Sequence, residues 1–267
     1  MINSKTQIIA TVGPASTSME VLRAMVENQL DIVRLNLSWG DMETRIEQIK
    51  TIRQLENEYG RKIPIIVDLP GLRLQKDHVH TYDNSISSAV TERDRDFIKF
   101  AAENDVDYIA ISFVASPEDI EQCRKIITEF SGKQKVIAKI ERTAALERLE
   151  QIILNADAVM VARGDLGNEV PIEQIPFIQD QIVQLCKKIG KPVIVATQML
   201  SSMVEEQIPT RAEVTDVAYA IMEGASAVML SEETAIGKYP AEVVATMKKI
   251  VIEAEKHLGD DIHLNLL

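Results

Sequence analysis

The 267-residue chain is 46% hydrophobic and 26% charged, an ordinary globular composition at the length of one (β/α)8 barrel. Its 29 basic side chains against 41 acidic ones leave a net charge of −12, which excludes a general attraction to nucleic acid or anionic lipid. Two cysteines, Cys123 and Cys186, and no apolar run near the roughly 18 to 20 residues of a membrane span exclude a disulfide framework and a bilayer helix, so a soluble cytoplasmic protein is expected.

Eight apolar, β-branched runs of strand length follow in chain order: Gln7 to Val12, Ile32 to Leu37, Ile63 to Asp68, Tyr108 to Phe113, Val136 to Glu141, Ala158 to Ala162, Pro192 to Ala196 and Ala227 to Ser231. Each is continuously apolar rather than alternating, as in a parallel strand buried on both faces. The stretches between them, among them Ser18 to Asn28, Asp119 to Phe130, Glu173 to Ile189 and Ala241 to His257, repeat apolar residues every three or four positions and are predicted helices. Gly60, Gly132 and Gly190 stand where such helices should stop. The polar stretch 75–90 lacks clear periodicity and is expected to be a long loop over the barrel mouth. The fold expected is therefore a single α/β domain over 1–267, a (β/α)8 TIM barrel.

In such a barrel the C-terminal strand ends build the active site, and here those ends are polar. The second run carries Arg34, Asn36 and Ser38, the third ends in Asp68, the fifth in Lys139 and Glu141, the sixth leads into Arg163-Gly164-Asp165, and the seventh into Thr197. Alternate strand residues share a face, so Lys139 lies beside Glu141, and Arg34 beside Asn36 and Ser38. Two carboxylates, Glu141 and Asp165, suit one Mg²⁺ or Mn²⁺ with open positions for water and substrate. Lys139 beside that cation suits proton transfer or enolate stabilisation, and the amides of the Gly164-Asp165 turn suit a substrate carboxylate. A small 2-oxo acid is the implied ligand. Each feature also has a structural explanation: Lys139 and Glu141 as a barrel-mouth ion pair, Arg163 to Gly167 as a tight turn, Arg34 as the partner of Asp68. Their coincidence at the strand ends of one barrel favours a site.

Several blocks then match a known family. Thr11 to Ser16, Val33 to Asn36, Lys139 to Glu141, Met160 to Gly167, Ala196 to Leu200 and Pro209 to Val214 closely resemble the barrel domain of pyruvate kinase. The resemblance implies a divalent metal on Glu141 and Asp165, Lys139 serving the enolate, and Arg34 facing an anionic group. It also implies Thr197 and the backbone of Arg163, Gly164 and Asp165 on the oxo acid, and K⁺ at Asn36, Ser38 and Asp68, although a hydrogen-bond network with Arg34 explains those three nearly as well. A homo-oligomer through the Pro209 to Val217 block is implied too.

The departures from the family shape the functional expectation. The family's lid and regulatory domains are expected to be absent, with 75–90 in the lid's place. Gln75 replaces an arginine, Trp39 a histidine, and Ser231-Glu232-Glu233-Thr234 a Ser-Gly-Glu-Thr block. Because phosphoryl transfer depends on positioning and charge, these changes favour metal-dependent enolate chemistry without nucleotide: aldol or retro-aldol reaction, or decarboxylation of a 2-oxo diacid. The carbon electrophile would then sit near Trp39, Arg73 and the loop. A minimal pyruvate kinase and a non-catalytic binding module are the alternatives.

Overall fold

The computed structural model describes residues 4–76, 79–82, 88–258 and 265–266. Ten strands occur among them: β1 Gln7–Thr11, β2 Ile32–Asn36, β3 Ile65–Asp68, β4 Arg73–Lys76, β5 Val79–Tyr82, β6 Tyr108–Ile111, β7 Lys135–Ile140, β8 Ala158–Ala162, β9 Val193–Ala196 and β10 Ala227–Leu230. Eight close into a barrel in the order β1-β10-β9-β8-β7-β6-β3-β2, every pairing parallel. This is the expected (β/α)8 barrel, and each of the eight apolar runs supplies one of its strands.

Both strand faces are buried, which explains the continuous apolar sequence. Ile9, Ile32, Ile66, Ile137, Met160, Ile194 and Met229 fill the barrel interior, while their neighbours Ile8, Val33, Val67, Ala138, Val159 and Val195 pack outward under the helices. Leu266 joins the interior cluster; its amide donates to Gln7 Oε1 at 2.9 Å, and Tyr108 Oη donates to its carbonyl.

The differences from the sequence reading have local causes. Strands β3 and β9 start just after Pro64 and Pro192, because proline offers no N–H to the ladder. Gly60 and Gly190 stop their helices in the left-handed region, with φ of 60° and 79°. Gly132 does not: after the helix Pro117–Glu129 that conformation belongs to Ser131, with φ 56°. Within 75–90, β4 and β5 pair antiparallel, Arg73 opposite Tyr82 and Lys76 opposite Val79, where a loop without regular structure was expected. The β-branched and aromatic positions Val79, Thr81 and Tyr82 favour the extended chain. Residues 77–78 and 83–87 lie outside the described residues, His78 among them. No helix among the described residues is long and apolar enough to cross a membrane. Cys123 and Cys186 are free and buried, and burial pushes both thiols up to about 12.

Candidate active site

Register and pleat bring the polar strand ends together. Parallel pairing sets Thr11 opposite Arg34 and Asn36 opposite Asp68, while β7 presents Lys139 and, one residue past its end, Glu141. Arg34, Asp68, Lys139 and Glu141 are all buried; Arg34, Lys139 and Glu141 line one cavity of about 640 Å³ at the mouth, with Asn36, Ser38, Asp165 and Thr197, and Asp68 lies behind them.

Asp68 is the centre of the cluster. Its Oδ1 accepts from Lys139 Nζ at 2.9 Å, and its Oδ2 accepts from Arg34 Nε at 2.8 Å. Burial pushes the Asp68 carboxyl up, but the Arg34 guanidinium and the Lys139 ammonium outweigh it and hold the group at about 2. Lys139 also donates to Ser112 Oγ at 2.7 Å and lies 3.0 Å from Glu141 Oε1. Arg34 Nη1 donates to Thr11 Oγ1 at 2.9 Å. Arg34 is thus the partner of Asp68 and a wall of the cavity at once.

Glu141 is fully buried. Its Oε2 accepts from the Phe113 amide at 2.7 Å, and its Oε1 meets the Lys139 ammonium. Burial raises the Glu141 carboxyl above its ordinary value; Lys139 opposes this, and the charges of Asp165 and Asp68 add to it. A buried carboxylate with lone pairs to spare, near a second carboxylate on the same cavity, fits a hard divalent cation. Among the described residues no group of three or more His, Cys, Asp or Glu could hold a metal, so protein ligands beyond two carboxylates are not at hand. That matches Mg²⁺ sites completed by water and substrate.

The loop after β9 supplies the opposite wall. Thr197 adopts φ 70°, an outlier for a β-branched residue. Its Oγ1 accepts from the Gly164 amide at 2.8 Å, so that amide is already engaged. The Arg163 guanidinium turns away from the cavity: it donates to the Thr197 carbonyl at 2.7 Å and pairs with Asp216 at 2.6 Å. Arg163 therefore braces the threonine turn with its side chain. Asn36 Oδ1 accepts from the Ser38 amide at 3.0 Å, and of the three residues expected at the K⁺ site it is Asp68 that bonds Arg34. Arg73 opens β4.

Four residues of the site escaped the sequence reading. Thr11 and Ser112 stand one residue before the ends of their strand runs, so a polar-residue criterion at the strand ends finds them. Arg45 and Arg93 also line the cavity, but each lies on a helix, where a single arginine gives no signal.

An eight-stranded parallel barrel with buried cations, buried carboxylates and a strained threonine turn at its strand ends defines a (β/α)8 barrel protein with a charged cavity at its mouth. More specifically, the chain belongs to the pyruvate kinase family: the family described as the pyruvate kinase barrel domain matches residues 3–88 and 74–244. The pyruvate kinase of Thermotoga maritima is 35% identical over 95% of this chain and 72% of its own length. That of Thermococcus litoralis is 35% identical over 95% and 70%, and that of Corynebacterium glutamicum 36% identical over 95% and 70%. Membership carries with it the divalent metal, Mg²⁺ or Mn²⁺, and K⁺ as cofactors.

These relatives overturn the expectation of a lyase or aldolase with phosphotransfer the lesser alternative, because they are named as phosphotransferases across nearly the whole chain. The physical reason is that an enolate pocket serves both chemistries. Arg45 and Arg93 also bring positive charge to the cavity that Trp39 and Glu232 line.

Proposed function

We propose that the chain transfers a phosphoryl group between phosphoenolpyruvate and a nucleoside diphosphate. In the forward direction the bond from phosphorus to the enol oxygen breaks and a terminal diphosphate oxygen forms the new one. The released enolate takes one proton at its methylene carbon and becomes pyruvate. The observation that carries this reading is the buried Arg34, Lys139 and Glu141 opening on one cavity, with Asp68 tying Arg34 to Lys139, and the names of the relatives support it.

The residues divide the work. Glu141 and Asp165 would hold Mg²⁺ or Mn²⁺, which when bound neutralises phosphate charge and polarises the oxygens it touches. Lys139, fixed by Asp68 and Ser112, places an ammonium beside the enolate. Thr197 and the turn at Gly164 and Asp165 hold the carboxylate end, and Arg34 meets the transferring phosphoryl group. Asn36, Ser38 and Asp68 are the proposed K⁺ residues. Arg93, exposed on the cavity rim, adds positive charge for the diphosphate, and the cavity is large enough to enclose both small substrates. The segment 75–90 would stand in the place of the family's lid domain. The exposed Phe177, Tyr219 and Met222, on the helices Ile175–Ile189 and Arg211–Glu223, support a homo-oligomer, and the buried free cysteines suit a reducing cytoplasm.

Pyruvate formation from phosphoenolpyruvate and ADP, followed by coupled NADH oxidation with Mg²⁺ or Mn²⁺ and K⁺, tests the proposal. Turnover is expected, and Lys139→Met should lower it by at least about a hundredfold. A folded wild-type protein inactive under every metal condition would overturn the reading and leave a binding module.

A further inference from the structure

Arg45 lies in the first turn of the helix Met42–Tyr59, only 6% exposed, on one wall of the cavity. An arginine buried so deeply ordinarily faces a carboxylate. This one donates to neutral acceptors: Nη1 to Gln48 Oε1 at 2.7 Å, and Nη2 to the main-chain carbonyls of Asn36 at 2.9 Å and Trp39 at 2.6 Å. Its Nε is buried without a hydrogen-bond partner. Gln48 is fixed in turn, its Nε2 donating to Thr17 Oγ1 at 3.1 Å.

The loop is shaped to this guanidinium. Gly40 sits at φ 74°, and a Cβ there would stand 3.1 Å from Arg45 Nη2, so glycine serves both the left-handed turn and the close approach. The next residue, Asp41, caps the helix by accepting from the Thr44 amide at 2.8 Å. The loop is thus tied at both ends to the helix that carries Arg45. Between those ties it presents Asn36, Ser38 and the half-exposed indole of Trp39 to the cavity.

We propose that Arg45 is a positioning residue that fixes the 36–40 loop and its Trp39 rim, and through them sets the affinity for the phosphoryl acceptor rather than for the oxo acid. The barrel order carries the second half of that statement. The β2 loop lies across the ring from β8, whose end leads into Asp165, and is separated from β7 by β3 and β6. The residues proposed for the metal and for the carboxylate end, Glu141, Asp165 and Thr197, therefore follow other strands, β7, β8 and β9, than the one whose loop Arg45 ties down. This inference rests on the phosphotransfer reading for its kinetic half and on geometry alone for its positional half.

The chain has one tryptophan, so its fluorescence reports this loop directly. Arg45→Lys and Arg45→Met are compared with wild type, with circular dichroism and thermal unfolding as the check that each folds. Both variants should expose Trp39 to iodide quenching and shift its emission. Lysine should fail to restore the wild-type signal, because a single ammonium does not reproduce the planar fork that bridges two carbonyls and Gln48. In the coupled assay, losing two charge-assisted hydrogen bonds should raise the KM for ADP by about tenfold while that for phosphoenolpyruvate stays within about twofold. Unchanged quenching and emission in folded Arg45→Met would overturn the positional claim, and an equal rise in both KM values would reduce Arg45 to a general structural role. Should the wild type show no phosphotransfer, the functional reading falls, and the quenching comparison still decides where Arg45 holds the loop.

Discussion

Replacing Asp68 by Asn removes one negative charge from between two buried cations while nearly keeping the side-chain volume. Arg34 Nε and Lys139 Nζ stand 2.8 and 2.9 Å from its two oxygens, and with those side chains at most 10% exposed neither charge can turn to water. Removing one partner of such a buried pair costs about 3–5 kcal/mol, most of it the penalty on the charges left behind. An independent figure comes from the carboxyl itself, which lies near 2 against an ordinary 3.8. A depressed folded-state pKa gives stability that is fully present above the unfolded value and lost as pH falls through the folded one. Ionised Asp68 therefore contributes about 2 kcal/mol above pH 4, of which about half is gone by pH 3. Urea unfolding of wild type and Asp68→Asn across pH 7 to 3 measures both quantities. The variant should be less stable by about 3–5 kcal/mol at pH 7, with the gap narrowing by about 1 kcal/mol at pH 3. A difference under about 1 kcal/mol at pH 7, or a gap that ignores acid, would refute the charge balance drawn for this cluster.

Two further predictions concern metal affinity and packing. Glu141→Gln should weaken Mn²⁺ binding, followed by electron paramagnetic resonance, by at least about tenfold; an unchanged affinity would remove Glu141 from the ligand set. Gly13→Ala should lower stability by about 1–3 kcal/mol, because a Cβ at this cavity-lining position would meet the Ala235 carbonyl oxygen at 2.7 Å and its Cα at 2.9 Å; thermal unfolding reads the loss, and a wild-type melting temperature would mean that the Ala235 segment yields freely.

The barrel was legible because its periodicity is dictated by burial on both strand faces, and a run such as Val193–Ala196 has no other stable use at that length. The site was legible where a polar residue interrupts such a run at its C-terminal end, as Asp68, Lys139 and Glu141 do. Three kinds of information were not. Arg45 reaches the cavity only through the fold of a loop onto a helix, so no spacing announces it. The direction of the Arg163 side chain is set by Asp216, 53 residues further along the chain, a partner that no local spacing announces. The reaction class was not legible because the replacements at Trp39 and Gln75 count only as losses in the sequence, whereas the helix-borne Arg45 and Arg93 on the cavity lie beyond the reach of strand-end reasoning.

The backbone around the cluster explains how it keeps its geometry. Phe113 and Thr197 both hold positive φ, 58° and 70°, at a cost of about 1–3 kcal/mol each for residues of this kind. Each conformation is answered by a contact at the site: the Phe113 amide ends on Glu141 Oε2 at 2.7 Å, and Thr197 Oγ1 takes the Gly164 amide at 2.8 Å. Arg163 secures the second turn by donating to the Thr197 carbonyl while its charge is met by Asp216. The charges balance as well, since two buried cations, Arg34 and Lys139, face two buried carboxylates, Asp68 and Glu141. Every oxygen of Asp68 is satisfied, which makes it part of the scaffold. Glu141 Oε1 meets the Lys139 ammonium at 3.0 Å and keeps a lone pair for a second cation. Preorganised charge of this kind needs little rearrangement as negative charge develops on the substrate.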